Sequence, residues 1–346
     1  MKTAVTELFG CKYPVLLSGM TGISTPELVA AVNNAGGMGI LATANLTTDQ
    51  TRAAVRKIRQ LTDKPFGANV PLLIPGALEK AKVLIEERVA VINYTLGSGR
   101  KLIEQVHAYG GLVVATVTTE THALSAQNAG ADALIITGHE AAAHGGEVTS
   151  MVLIPSIVDA VNIPVIAAGG FADGRGLAAA LSLGASGVAM GTRFMNTVES
   201  PAHAAMKQMS NEKSVYDTVY SDRIDGLPCR AIDSSGARKL IADRLYMARA
   251  FSSSRFLAKS FGFPWLMALA GILFSGYKNA KQLARMSNAF QAITAAIDDG
   301  EKENGVFLMG QVTGLLHDTP SVAQVMASVI REAAAAQQSL TASFQA

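Results

Sequence analysis

The densest group of side chains that could do acid–base or metal chemistry lies in TGHEAAAHGGE, residues 137–147. His139 and His144 are five residues apart, whereas the zinc-binding helix of a metalloprotease places two histidines four residues apart. On a helix, five residues would turn the two imidazoles about 140° away from each other. This spacing argues against a metal site, and we expect none.

His144 is the better candidate for chemistry as a single residue. Gly145 and Gly146 follow it, which leaves one side of the imidazole unshielded and the backbone free to shape a pocket. An imidazole with a pKa of about 6.5 can accept a proton at neutral pH or stabilise an anionic substrate. Two interpretations stay open at this point: His144 is a catalytic residue, or it only orders its loop.

Two glycine-rich turns follow successive apolar runs in PVIAAGGFADGRGLAAALSLGASGVAMGTRF, residues 164–194. The run Val165–Ala168 ends at Gly169 and Gly170, and the run Gly187–Met190 ends at Gly191. Glycine lets main-chain N–H groups approach a ligand closely, and N–H groups at a helix N-terminus favour an anion. The two turns are therefore predicted to form a clamp for the phosphate of a nucleotide, a flavin or a phosphorylated substrate.

The alternative is that these glycines only shape tight turns between strands and helices. Thr192 and Arg193 follow the second turn, and this favours the phosphate clamp. Arg193 either neutralises a bound phosphate directly or pairs with a surface carboxylate.

The elements that must position these residues follow a repeated pattern. In each repeat the end of a helix is followed by Ala-Gly or Gly-Ala and then by a short apolar strand. Alternating strands and helices predict parallel βαβ units. Eight units with no GxGxxG motif at the first turn favour a closed (β/α)8 TIM barrel over a doubly wound sheet. The predicted strands lie in residues 14–19, 30–43, 65–70, 89–95, 111–117, 133–136, 165–168 and 187–190.

From about residue 200 the pattern changes to helical spacing without a convincing strand run. We expect residues 1–200 and 305–346 to form the barrel, and residues 201–304 to form an inserted, mostly helical cap or substrate segment. A terminal Ala-rich helix is predicted from Ser321.

Composition narrows the possible partners and location. The chain has 346 residues, 49% of them apolar, and a net charge of +2, which argues against a nucleic-acid partner. Cys11 and Cys229 are too few for a disulfide framework and lack metal-ligand spacing. The most apolar stretch, residues 261–274, is shorter than the roughly 18–20 residues needed to span a bilayer. We therefore expect a cytoplasmic protein with no membrane partner.

The motifs LSGM, FGANV, GHEAAAHGGE, AAGGFADGRGLAAALSLGASGVAMGTRF and MGQ occur in this order. This order resembles the nitronate monooxygenase (2-nitropropane dioxygenase) family, whose relatives include FMN-dependent NADH:quinone reductases and enoyl-acyl-carrier-protein reductases. The resemblance covers residues 1–200 and 305–320 well. It implies a (β/α)8 barrel that binds one FMN non-covalently.

The resemblance also implies which residues contact FMN. His144 matches the active-site histidine of the family, and Thr116 stands where several relatives carry Lys. The other matching positions contact the phosphate, the isoalloxazine ring or its polar edge. The implied cofactor-binding residues are Gly19, Met20, Asn69, Thr116, Gly169, Gly170, Met190, Gly191, Thr192 and Gln311.

The activity implied by the resemblance is the oxidation of an alkyl nitronate, such as propionate-3-nitronate, by FMN through a flavin semiquinone. O2 then reoxidises the flavin, and the products are a carbonyl compound and nitrite. His144 would hold the nitronate or deprotonate a neutral nitroalkane. One alternative is a reductase that takes hydride from NAD(P)H and reduces a quinone or an enoyl thioester. A non-flavin barrel that binds a sugar phosphate is a third possibility, and the sequence leaves the oligomeric state open.

Overall fold

Eight parallel strands close into a barrel in chain order, which confirms the predicted (β/α)8 architecture. The computed structural model describes residues 1–345 apart from residues 75, 143, 262, 263 and 275. Each predicted strand region overlaps one observed strand. The barrel strands are β1 (Val15–Leu17), β2 (Met38–Ala42), β3 (Gly67–Pro71), β4 (Val91–Thr95), β5 (Leu112–Val117), β6 (Ala133–Thr137), β7 (Val165–Ala168) and β8 (Gly187–Met190).

The first eight helices surround the barrel or close one end of it. Capping boxes at Thr3 and Thr47 fix the starts of two of them, and Pro26 begins a third at the position where its missing N–H costs nothing. These helices are α1 (Ala4–Phe9), α2 (Pro26–Asn34), α3 (Thr48–Leu61), α4 (Ala77–Glu86), α5 (Arg100–His107), α6 (Glu120–Asn128), α7 (Ser150–Ala160) and α8 (Gly174–Ser182).

The barrel core explains which end is available for a ligand. Alternate residues of the strands, such as Leu16, Ile40 and Ile166, form an interior apolar cluster together with Val5 and Phe9 of α1. Helix α1 therefore packs against the amino-terminal end of the barrel. The carboxyl end, where the strands lead into glycine-rich and polar loops, is the end at which (β/α)8 barrels place their sites.

Residues 201–304 are mostly helical, as predicted, but they also contain a small antiparallel sheet that the sequence pattern did not indicate. Its strands are only four residues long, and neither shows the alternation of apolar and polar residues that marks a strand. The elements from residue 192 to 298 are α9 (Thr192–Met195), α10 (Ala204–Glu212), β9 (Thr218–Ser221), β10 (Cys229–Ile232), α11 (Ser235–Ala242), α12 (Tyr246–Phe261), α13 (Trp265–Phe274) and α14 (Tyr277–Asp298).

The chain then returns to the barrel through a 3-10 helix, Gln311–Leu315, and ends in α15 (Val322–Gln345). Helix α15 packs on α8: Gly174 donates its N–H to Glu332, and a methyl group at Gly174 would collide with the backbone of Ala333. Among the described residues, no helix is long and apolar enough to cross a membrane.

Candidate active site

A chain of hydrogen-bonded polar side chains crosses three neighbouring strands of the barrel. Asn69 of β3 donates from Nδ2 to Oδ1 of Asn93 on β4, at 2.6 Å, and Asn93 donates to Oγ1 of Thr116 on β5, at 2.9 Å. Gly19 lies against this array, because a Cβ there would be 2.6 Å from Cβ of Asn69. The predicted residues Gly19, Asn69 and Thr116 therefore lie on one wall of the barrel. Asn93 was missed, although the parallel register pairs it with Asn69.

The two predicted glycine turns differ in why they need glycine. Gly169 and Gly170 have φ values of 96° and 85°, in the left-handed region that favours glycine. Gly191 has φ −98° and ψ −78°, so its conformation does not demand glycine. A Cβ at Gly191 would contact only Sδ of Met20, at 3.3 Å, so glycine keeps open a space that a larger side chain would fill. This cradle fits a phosphate group or another part of a bound cofactor.

Part of the predicted phosphate clamp is occupied by the protein itself. At the N-terminus of α8, Gly176 donates its N–H to Asp173 at 3.1 Å, and Gly174 donates to Glu332 at 3.0 Å. The carboxylates at this helix end take the place that an anionic ligand would need. We therefore limit the candidate clamp to the Gly169–Gly170 turn and to Gly191 with Thr192.

Arg193, for which the sequence left two roles open, pairs with a carboxylate. It is buried, and its guanidinium donates to the carbonyls of Asn196 and Asp318 and lies 3.5 Å from Oδ1 of Asp318. These contacts join α9 to the segment before α15. Its predicted alternative role as a phosphate ligand has no support in this arrangement.

The other predicted cofactor residues join the β8 end to its neighbours. Met190 is buried, and its carbonyl accepts from the N–H of Ser18 at 3.2 Å. The hydroxyl of Thr192 accepts from the N–H of Gly310 at 3.0 Å. Gln311 donates its own N–H to the carbonyl of Glu140 at 2.9 Å, which places the 3-10 helix against the loop that carries His144.

His144 forms a pair with Asp225, a residue that sequence reasoning missed. The distance between Nε2 of His144 and Oδ2 of Asp225 is 2.7 Å. Burial lowers the pKa of the imidazole, but the hydrogen bond to Asp225 and its negative charge raise it by more, so the pKa lies above its usual value. Because Nε2 is engaged by Asp225, Nδ1 is the atom available to take or give a proton.

The β9–β10 hairpin contacts the β6–α7 loop, residues 138–149, on both sides of His144. Arg230 donates from Nε and Nη2 to the carbonyl of His139, at 3.1 and 3.0 Å, and the hydroxyl of Tyr220 donates to the carbonyl of Gly145 at 2.9 Å. Asp225, between the two strands, holds His144. No local sequence signal links these partners, since they lie 75–91 residues apart along the chain.

We expect Tyr220→Phe to loosen this loop without unfolding the protein. Loss of a single hydrogen bond of about 1 kcal/mol should speed hydrogen exchange in residues 138–148 about five-fold. Tyr216→Phe is the matched control, because Tyr216 is 90% exposed. Equal exchange rates in the two variants would show that the Tyr220 hydroxyl does not hold the loop.

Sequence comparison identifies the family. A model of the nitronate monooxygenase family matches residues 2–84 and 74–332. The chain belongs to the nitronate monooxygenase family. Membership in this family makes it a flavin-dependent oxidoreductase, and the open cradle at Gly191 fits such a cofactor.

Relatives within and around the nitronate monooxygenase family differ in the reaction they are named for. The chain is 38% identical over 339 residues to a (3aS,4S,5R,7aS)-5-hydroxy-7a-methyl-1-oxo-octahydro-1H-indene-4-carboxyl-CoA dehydrogenase of Rhodococcus jostii, covering 96% of both chains. It is 33% identical to a probable nitronate monooxygenase of Staphylococcus saprophyticus, over 69% of this chain and 81% of that relative.

The similar solved structures also differ in the reaction for which they are named. FabK of Thermotoga maritima superposes with a TM-score of 0.82 at 35% identity, covering 99% of both chains. A nitroalkane oxidase of Streptomyces ansochromogenes superposes with a TM-score of 0.75 at 25% identity, covering 97% of this chain and 100% of that one. The family and the flavin chemistry are thus shared, whereas the substrate differs among relatives.

Proposed function

We propose that this protein is a flavin-dependent oxidoreductase of acyl thioesters, and that residues 201–304 act as a cap that binds the anionic carrier of the acyl group. The observation that carries this proposal is the charge of residues 244–297, which contain seven basic residues and no Asp or Glu. Coenzyme A carries several phosphate charges, which a positively charged segment attracts. The basic residues are Arg244, Arg249, Arg255, Lys259, Lys278, Lys281 and Arg285.

This basic segment adjoins the His144–Asp225 pair. Arg285 of α14 is 4% exposed, donates to the carbonyl of Arg223, and stacks on the ring of Tyr246 at 4.2 Å. Arg223 lies two residues from Asp225, so α14 packs directly on the loop that completes the pair. Arg249 pairs with Asp243 at 3.5 Å, whereas among the described residues Arg285 has no ion-pair partner within 4 Å, and its Nε has no hydrogen-bond partner. Arg285 therefore brings a positive charge close to the loop that carries Asp225.

The chemistry of a thioester suits the pair. A thioester carbonyl makes the adjacent α-carbon acidic, and His144 could take the α-proton or return it through Nδ1. A bound flavin would supply or accept a hydride at the neighbouring β-carbon, which balances the proton at the α-carbon. In this proposal His144 transfers the α-proton, and Asp225 stabilises the imidazolium that forms. The similarity along 96% of both chains to a dehydrogenase named for an indene-carboxyl-CoA substrate supports this assignment.

We assign FMN as the flavin, because β7 and β8 pair directly and each ends in a glycine turn, an arrangement suited to a single terminal phosphate. In the direction of thioester reduction, NAD(P)H is the proposed electron donor. The barrel needs no separate dinucleotide-binding motif if the nicotinamide stacks on the flavin.

Oxidation of an alkyl nitronate is the second candidate. It is favoured by the raised pKa of His144, because a protonated imidazole pairs well with an anionic nitronate. The probable nitronate monooxygenases among the relatives support the same interpretation, over about two thirds of this chain.

The two candidates are separated by anaerobic mixing of the flavin-loaded protein. We expect flavin reduced with NADPH to be reoxidised by crotonyl-CoA, and much more weakly by crotonyl-N-acetylcysteamine, which lacks the phosphates. At low ionic strength, the KM for crotonyl-CoA should be at least about ten-fold lower than the KM for crotonyl-N-acetylcysteamine. The difference between the two KM values should shrink as added salt screens the basic residues. Reduction of the oxidised flavin by propionate-3-nitronate, with no response to either thioester, would favour the second candidate instead.

A charge-reversed variant tests the cap itself. Lys278→Glu is expected to raise the KM for crotonyl-CoA and to leave the KM for crotonyl-N-acetylcysteamine unchanged. Lys57→Glu on α3 is the control, because Lys57 is exposed on an outer barrel helix. Equal effects of the two substitutions would contradict a specific role of residues 244–297.

A further inference from the structure

Three side chains with different metal-binding atoms converge beside the barrel mouth. Their ligand atoms, an imidazole nitrogen of His144, a carboxylate oxygen of Asp225 and Sγ of Cys229, all lie within 4.8 Å of one another. No local motif indicates this group, because the residues are far from the spacing of known zinc motifs. The β9–β10 hairpin creates it by placing Asp225 and Cys229 against the β6–α7 loop.

The three residues differ in exposure in a way that suits a bound ion. The Cys229 residue is 0% exposed, the Asp225 side chain is 12% exposed, and the His144 side chain is 39% exposed. An ion could therefore enter from the His144 side while Cys229 closes the inner side. Sγ of Cys229 makes only a long contact of 4.0 Å to the carbonyl of Arg230. The sulfur is thus free of a strong competing hydrogen bond.

The donor set selects a class of metal. A thiolate, an imidazole and a carboxylate suit Zn²⁺, whereas Mg²⁺ and Ca²⁺ prefer oxygen ligands alone. Tetrahedral zinc bonded to these three atoms holds them about 3.3–3.6 Å apart. The observed group needs adjustments of about 1 Å to reach that geometry, which rotation of exposed His144 can supply.

We propose that His144, Asp225 and Cys229 form a site for zinc or a similar thiophilic divalent ion, with a fourth position open to water or substrate. Binding releases the Cys229 proton to solvent and occupies the imidazole lone pair. A bound ion therefore removes His144 from proton transfer. The site makes the enzyme sensitive to free zinc, whichever substrate it uses.

The test is a titration of the flavin-loaded, untagged protein with Co²⁺, followed by Zn²⁺. We expect one Co²⁺ per chain, with the intense visible bands of tetrahedral thiolate-bound cobalt to the red of the flavin absorption. Zn²⁺ should displace the cobalt and lower turnover as the site fills, and Mg²⁺ should do neither. The spectrum reports binding without any substrate, so its result is independent of the proposed acyl thioester activity.

Cys229→Ala should abolish the cobalt bands and weaken zinc binding by more than about 100-fold, beyond the 10–100-fold typical of residues that only support a ligand. Cys11→Ala is the matched control, because Cys11 lies beside the amino-terminal end of the barrel. If Cys229→Ala does not fold, Cys229→Ser serves in its place. Absence of stoichiometric binding, or binding that the Cys229 variants leave unchanged, would overturn the site.

Discussion

His144→Ala is expected to lower turnover by about 10²–10⁴-fold, the contribution typical of a general acid or base. The fold and the flavin content should be retained, because the His144 side chain is 39% exposed and its hydrogen bond is to Asp225 rather than to the barrel. The measurement is kcat with NADPH and crotonyl-CoA, together with the flavin-to-protein ratio. His122→Ala, at an exposed position on α6, is the control.

The His144–Asp225 pair predicts a pH dependence of turnover that a purely structural histidine would not show. Asp225 raises the pKa of His144, so Asp225→Asn should move the corresponding limb of the pH–rate profile to lower pH. His144→Asn tests the alternative that the imidazole only orders its loop. Recovery of activity in His144→Asn, or an unshifted profile in Asp225→Asn, would remove the proton-transfer role.

If the substrate is a nitroalkane, the same His144→Ala variant gives a second distinction. Turnover of the neutral nitroalkane should fall much further than turnover of the preformed nitronate, because the nitronate needs no proton removal. Equal losses on both would indicate that His144 binds the anion rather than acting as a base.

Gly191→Val is expected to weaken flavin binding by more than ten-fold, a change of about 1.4 kcal/mol or more. The backbone at Gly191 has a negative φ, and a Cβ there meets only Met20, so the loss would arise from filling the cradle rather than from strain in the protein. Flavin content after purification and the dissociation constant from flavin fluorescence provide the measurement.

A graded series sharpens this result. Gly191→Ala should weaken flavin binding less than Gly191→Val, in proportion to the volume added. Gly271→Ala in α13 is the control, because a Cβ there makes an ordinary contact of 3.5 Å with Leu283. A yellow Gly191→Val protein with unchanged flavin affinity would place the cradle elsewhere.

The barrel could be predicted because its signals are local. Most strands are short apolar runs next to a glycine or proline, and several of the following helices, such as α3, have a clear apolar periodicity and a capping residue. The same locality explains why the glycine turns after β7 and β8 could be predicted from the residues alone. Their residue types specify tight turns at strand ends.

The partners of the site residues could not be predicted, because they come from contacts between distant segments. Arg193 meets Asp318 and His144 meets Asp225, separated by 125 and 81 residues. The N-terminus of α8 resembled an anion site in sequence, but Glu332 reaches it from 158 residues away. The sequence shows that a charged side chain or a helix N-terminus could bind a ligand. Only the fold shows whether another side chain of the protein already occupies that position.

The hairpin contacts to the β6–α7 loop make proton transfer depend on the position of a separate segment. Any motion that lifts the hairpin from the barrel mouth separates Asp225 from His144 and removes both interactions that raise the imidazole pKa. We therefore expect the imidazole to be less basic while the mouth is open and more basic once it closes over a substrate. Such a dependence would confine acid–base chemistry at His144 to the closed complex.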